Sequence, residues 1–188
     1  PLSLLHKYGI RPRKRLGQCF LCDLNIMEKI VRIAGVGDTD TVVEIGSGIG
    51  VLTAMIARRA RRVVAVEVDR LLVEVLQQEL GDLENVEIVH TDVLQFDFSS
   101  VCADPTRESR KERIKVIGNV PYNLSSQIVL RLLEYRRCLD RVVLMLQREV
   151  AERLAAPPGT KDYGPLSVYV ALFTEPTLET RVPAGCFY

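Results

Sequence analysis

The sequence predicts an α/β fold: a mostly parallel sheet with helices on both faces. Five short runs, TVVEI, RVVAVEV, VEIVH, IKVIG and VVLML, alternate with longer segments of helical period. The runs are apolar almost throughout, as strands covered on both faces must be. The glycine cluster GSGIG closes the first run, where a tight strand-to-helix turn needs residues without a Cβ.

Taken in order, residues 1–24 read as a basic arm and 25–188 as one domain. The arm carries five basic residues (Lys7, Arg11, Arg13, Lys14, Arg15) and no acidic one before Cys22. A helix over 25–34 places Ile26, Ile30 and Ile33 on one face. The first strand spans 41–45 and leads through the glycines to a helix over 51–59. The second strand starts at Arg62, and its helix, built on Leu71, Leu72, Val75 and Leu76, stops at Gly81. Strands at 86–90, 114–118 and 142–146 follow, the last two trailed by helices from Ser125 to about Arg136 and from Arg148 to about Ala155. Residues 105–113 form a polar surface excursion. Beyond Gly159, 163–173 reads as helical and 178–182 as extended.

Composition narrows the function classes. A length of 188 residues, 47% hydrophobic and 26% charged, suits one globular domain with a sizeable core. No apolar run approaches the roughly 20 residues that span a bilayer, so a soluble cytoplasmic protein with no membrane partner is expected. Net charge is only +1. The arm and a second cluster, Arg58, Arg59, Arg61 and Arg62, nevertheless suit phosphate contacts, or equally a solvated face. Five cysteines, with one CxxC at Cys19 and Cys22 and no second ligand pair, predict free thiols and no metal site.

In open parallel sheets the ligand lies outside the carboxyl ends of the strands. Those ends carry Glu44 with Gly46 and Gly48, then Glu67, then Asp92, then Asn119-Val-Pro-Tyr122. Glu67 suits the two hydroxyls of a ribose, and Asp92 the exocyclic amine of an adenine. Together they predict an adenosine-containing cofactor. The glycines run G-x-G-x-G rather than G-x-G-x-x-G, and an acid precedes them. That pattern disfavours a pyrophosphate and suits the cationic S-adenosyl-L-methionine.

Asn119 to Tyr122 then acquire a role. An exocyclic amine on a base is a poor nucleophile because its lone pair is delocalised into the ring. Its two hydrogens can be held by the Asn119 side-chain oxygen and by a backbone carbonyl, that of Val120 or Pro121. The nitrogen then pyramidalises towards the methyl group. Proline fixes that backbone, and Tyr122 can stack on an extruded base.

These residues resemble those of the rRNA adenine N6,N6-dimethyltransferases. The resemblance rests on RKRLGQCFLCD, VVEIGSGIGVLT, VVAVEVDR, TDVLQFDF, VIGNVPYNLSS, MLQREVAERL, YGPLSV and VPAGCFY, nearly the whole chain. It implies a class I S-adenosylmethionine-dependent methyltransferase fold, Rossmann-like. The implied reaction is methyl transfer to N6 of two adjacent adenosines near the 3′ end of small-subunit (16S) rRNA. The implied setting is ribosome biogenesis, with a monomer acting on a pre-ribosomal particle. It also implies that Gln18, Cys19, Leu21, Glu44, Gly46, Gly48, Glu67, Asp92 and Asn119 line the cofactor. Asn119, Pro121 and Tyr122 would be catalytic, and Phe187 would face the target base beside Tyr122. Arg11, Arg13, Lys14 and Arg15 would bind RNA.

Cys19 departs from the family, which usually has Asn or His there. The family pattern also continues past Phe187 with a final strand and a helical RNA-binding domain, which the sequence to Tyr188 does not include. Two other readings stay open: a large-subunit rRNA methyltransferase of the resistance type, and a non-catalytic rRNA-binding assembly factor. A nicotinamide oxidoreductase is disfavoured by the glycine spacing.

Overall fold

The computed structural model describes residues 1–13, 16–102 and 113–188. Lys14, Arg15 and most of the polar excursion at 105–113 lie outside the described residues. The chain runs α1 (Leu2–Lys7), α2 (Leu24–Ala34), β1 (Thr41–Ile45), α3 (Val51–Ala57), β2 (Arg62–Glu67), α4 (Arg70–Leu80) and β3 (Val86–His90). It continues with β4 (Ile114–Asn119), α5 (Ser125–Glu134), β5 (Leu139–Met145), α6 (Arg148–Leu154) and α7 (Pro165–Phe173). Every predicted strand and helix from α2 to α7 forms, with ends displaced by up to three residues. The exception is 178–182, which pairs with no strand among the described residues.

The five strands lie in the order β3-β2-β1-β4-β5, all parallel. The central strand β1 is buried along its whole length. Val42 packs with α2 and α3 on one face, while Val43 and Ile45 pack with Ile128 and Leu132 of α5 on the other. This two-sided burial is why the strands read as continuous apolar runs. One charge interrupts the inner strands at their far end: Lys115 is buried and donates to Asp40 Oδ2 at 2.6 Å and to the Gly35 carbonyl.

Register places the site. Ile45 pairs with Val66 and with Gly118, and Glu67 pairs with His90. Gly46, Glu67, His90 and Asn119 therefore end their strands at one level. The chain reverses its direction of progress between β1 and β4, the point where open sheets bind ligands.

The arm differs most from its expectation. It is no solvated tail. Leu5, fully buried, and Ile10 pack with Phe20, Ile49, Leu72 and Val75 against α4. Lys7 and the Tyr8 hydroxyl both donate to Glu79, at 2.6 Å each. The apolar positions of the arm, rather than its charges, decide its course.

Candidate active site at the strand ends

After β1 the backbone turns through Gly46 and Gly48, at φ of 70° and 59°, a region closed to most side chains. A Cβ on Gly46 would lie 3.4 Å from the Asn119 carbonyl, and one on Gly48 would lie 3.5 Å from the Phe20 ring. The turn thus brings β1, β4 and the arm together. The Glu67 carboxylate, 5% exposed, holds it in shape. Oε2 accepts from the Gly48 N–H, and Oε1 accepts from the Val68 and Asp69 N–H groups, each at 2.9 Å. A carboxylate offers about four acceptor sites. Three are taken, so one remains, on Oε2, rather than the free pair that a bidentate ribose grip would use. Burial pushes the Glu67 carboxyl up, against the pull of these N–H groups.

Asp92 caps its own turn: Oδ1 accepts from the Leu94 N–H at 2.9 Å, and Oδ2 has no partner among the described residues. Glu44 stands differently from its expectation. It is 2% exposed and buried beneath α3, where the Thr53 hydroxyl donates to it and the Ser47 hydroxyl of the glycine turn lies close. Burial pushes its pKa up to about 8, against the Thr53 and Ser47 hydroxyls, and the nearby Glu67 charge adds to the rise. At neutral pH Glu44 therefore adds little negative charge to this edge.

That shift has a sign in stability. The folded value near 8 lies above the unfolded value near 4.5. The stability of the protonated form is therefore complete below pH about 4.5 and is lost as pH rises through about 8. Glu44→Gln is expected to melt near the wild-type temperature at pH 5 and several degrees above it at pH 8.5. Parallel melting curves for the two proteins across that range would refute a neutral buried Glu44.

Asn119 lies at the tip of β4. Its Nδ2 donates to the Cys19 carbonyl at 2.6 Å. A carbonyl only accepts, so this contact settles which end of the amide is nitrogen. Oδ1 then faces away, with no partner among the described residues. The Val120 carbonyl likewise accepts nothing among the described residues. The Pro121 carbonyl is engaged: it accepts from the Leu124 N–H at 3.0 Å and the Ser125 hydroxyl at 3.3 Å, opening α5. Of the two carbonyls the sequence left open, Val120 is the free one. Tyr122 is 45% exposed, and burial together with the Cys19 thiol at its hydroxyl pushes its pKa up, so the phenol stays neutral.

The arm crosses this edge. Gln18 Oε1 accepts from the Arg13 N–H and its Nε2 donates to Asp69 Oδ2, both at 2.9 Å. Arg13 pairs with Asp69 Oδ1, also at 2.9 Å. Phe20 and Tyr188 exchange two backbone hydrogen bonds, and Leu21 bridges Phe187. These contacts bear on several of the expected site residues. Gln18 spends both ends of its amide on the arm and Asp69, and Arg13 spends its charge on Asp69. Leu21 is buried beside Met27 and Ile30, and the partly buried Phe187 packs against the same cluster, which reaches Ile117 and Met145. Arg11 is exposed and unpaired among the described residues. The second basic cluster lies at the opposite edge of the sheet, where Arg59 and Arg62 pair with Glu28 and Glu87. Asp69 was not foreseen. In sequence an acid before a helix reads as a cap, and it is one, accepting from the Leu71 N–H.

The set fits an adenosine cofactor with a cationic tail. The glycine turn leaves backbone close at hand, Asp92 Oδ2 and one Glu67 site can accept further donors, and among the described residues no cationic side chain bonds to the turn. The cysteines form no disulfide among the described residues. Among the described residues no group of side chains could hold a metal ion, and no helix is long and apolar enough to cross a membrane.

The chain is 45% identical over 186 residues to a ribosomal RNA small subunit methyltransferase A of Syntrophus aciditrophicus (strain SB), covering 99% of this chain and 65% of that protein. The chain spans 62–66% of the length of the curated relatives it matches. Among solved structures it is similar to a dimethyladenosine transferase from Plasmodium falciparum, with a TM-score of 0.68 and 28% identity over 81% of this chain and 52% of that one. It is also similar to the 23S rRNA methyltransferase ErmE, with a TM-score of 0.60 and 29% identity over 77% of this chain and 52% of that one. The fold is the class I methyltransferase fold that the resemblance implied. The family model described as ribosomal RNA adenine dimethylase matches residues 9–188, and the chain belongs to that family.

Proposed function

We propose that this chain is the catalytic part of an enzyme that transfers methyl groups from S-adenosyl-L-methionine to N6 of two adjacent adenosines near the 3′ end of small-subunit rRNA. It acts in ribosome biogenesis as a cytoplasmic monomer on a pre-ribosomal particle. The observation that carries the reading is the Asn119 amide, pinned by its nitrogen with its oxygen unpartnered among the described residues, on a residue whose backbone carbonyl lies against the glycine turn. Relatives at 44–47% identity named small subunit methyltransferase A support the substrate.

Gly46 and Gly48 would lie against the cofactor, with the open acceptor of Glu67 on its ribose and Asp92 Oδ2 on its adenine amine. Bound there, S-adenosyl-L-methionine supplies an electrophilic methyl group on a sulfonium. The chain's own residues act on the nucleophile. Asn119 Oδ1 and the Val120 carbonyl each accept one hydrogen of the target amine, which localises its lone pair on nitrogen. Both acceptors are fixed before substrate arrives, so little reorganisation is needed in the transition state. The Tyr122 ring stacks on the extruded base, a contact worth roughly 1–3 kcal/mol.

The test is to incubate the protein with labelled S-adenosyl-L-methionine and, in separate reactions, immature small subunits and large-subunit rRNA, then map the modified nucleotides. Label on two neighbouring adenosines near the 3′ end is expected. Label confined to large-subunit rRNA would favour a resistance-type activity. Binding without label would favour an assembly factor.

A further inference from the structure

Building on the methyl-transfer reading, we propose that Asp69 is a positioning residue. Through Gln18 it holds the arm so that the Cys19 carbonyl fixes the Asn119 amide with its oxygen towards the substrate.

The contacts form an unbroken series. Asp69 is 4% exposed, and its two oxygens do different work. Oδ1 caps α4 through the Leu71 N–H and pairs with Arg13, whereas Oδ2 serves Gln18 alone. A cap needs one oxygen; the second holds the arm. Gln18 is bonded at both ends of its amide, so its backbone is fixed relative to α4. Cys19 is the next residue, and its carbonyl accepts from Asn119 Nδ2 at 2.6 Å. On the other side of Gln18, the arm presses on the catalytic loop: a Cβ on Gly17 would lie 3.1 Å from Pro121 Cβ and Asn123 Oδ1. The clasp and this contact set where the Cys19 carbonyl stands.

The reason such a carbonyl matters lies in the amide itself. The terminal torsion of asparagine is broad and roughly two-fold, so an unheld amide exchanges its oxygen and nitrogen positions easily. In the flipped state Asn119 would offer a donor to an amine that is itself a donor. Only the state with nitrogen on Cys19 presents an acceptor. The arm thus selects the productive amide orientation, and Asp69 anchors the arm from 50 residues away in sequence (69 − 19).

The polarity of the clasp makes a reciprocal test available. Asp69→Asn sets an NH2 group against the Gln18 NH2 group while keeping an oxygen for the α4 cap. Gln18→Glu sets a carboxylate against a carboxylate. Together the two changes restore one donor facing one acceptor, and leave an oxygen for the Arg13 N–H. Each single variant is expected to lower kcat about tenfold, the ratio that one ordinary hydrogen bond supports. The RNA KM and the Kd for S-adenosylhomocysteine should stay within about threefold. In protein labelled with 15N-asparagine, the Asn119 side-chain signals should shift in each single variant. In the double variant kcat and the Asn119 signals should return towards wild type. Gln18→Ala, which leaves the α4 cap untouched, should reproduce the single-variant losses and covers the case in which Asp69→Asn folds poorly.

Unchanged Asn119 signals in the single variants, or a double variant no better than the worse single, would overturn the assignment. If the signals respond as expected but the wild type transfers no methyl group to adenine, the positioning stands and the methyl-transfer reading falls.

Discussion

An Asn119→Ala protein is expected to bind S-adenosylhomocysteine as wild type does and to transfer methyl groups roughly 10²–10³-fold more slowly, a loss of about 3–4 kcal/mol of transition-state stabilisation. The amide is the side chain at the tip of β4 that offers an unpartnered acceptor among the described residues, and its backbone carbonyl lies against the glycine turn. Alanine removes that acceptor and also frees the Cys19 carbonyl, but it leaves Glu67, Asp92 and the glycine backbone in place. Substrate amine would then keep one hydrogen on the Val120 carbonyl and lose the other contact. Asn119→Asp is a sharper control. It keeps an acceptor for the amine but turns a second oxygen on the Cys19 carbonyl, so it too should lose activity. Single-turnover rates with an adenosine-containing RNA and calorimetric titration with S-adenosylhomocysteine separate the two steps. A transfer rate within tenfold of wild type for Asn119→Ala would remove the amide from the mechanism.

Much of this edge was legible in the sequence because its physics is local. A parallel strand buried on both faces must be apolar, so TVVEI and IKVIG announce themselves, and polar residues at their ends stand out against that background. Glu67, Asp92 and Asn119 are such residues, and register alone brings them to one level. What the sequence hides is pairing over long separations. Arg13 reads as a phosphate ligand, yet its partner Asp69 lies 56 residues on and uses the charge within the chain. Arg59 and Arg62 read as a basic patch, yet Glu28 and Glu87 face them. Leu21 and Phe187 match the family pattern by position, and the fold joins them through a backbone bridge that no local pattern announces. The docking of the arm did leave a signal in Leu5, Ile10 and Phe20. It was outweighed by five basic residues that draw the eye to RNA.

Glu67→Ala is expected to weaken S-adenosylhomocysteine binding by about 10²-fold and to lower the melting temperature by several degrees. Both effects come from one carboxylate. Among the described residues it is the sole side chain holding the Gly48, Val68 and Asp69 N–H groups, and the bonds to Gly48 and Asp69 are buried from water. Each buried donor left unsatisfied costs about 1–3 kcal/mol, so the turn will rearrange rather than stay empty-handed. The rearrangement moves Gly48, and with it the backbone that approaches the cofactor. The lost charged contact to a ribose hydroxyl adds about 1.5–3 kcal/mol of its own. Glu67→Gln distinguishes the two contributions. Its oxygen can still accept from Val68 and Asp69, while its NH2 group opposes the Gly48 N–H. If the turn dominates, Glu67→Gln should bind nearly as poorly as Glu67→Ala while melting close to wild type. If the ribose contact dominates, Glu67→Gln should keep most of the affinity, because a neutral amide still bonds a hydroxyl. Wild-type affinity in Glu67→Ala, with the fold intact by circular dichroism, would move the cofactor away from this strand end altogether.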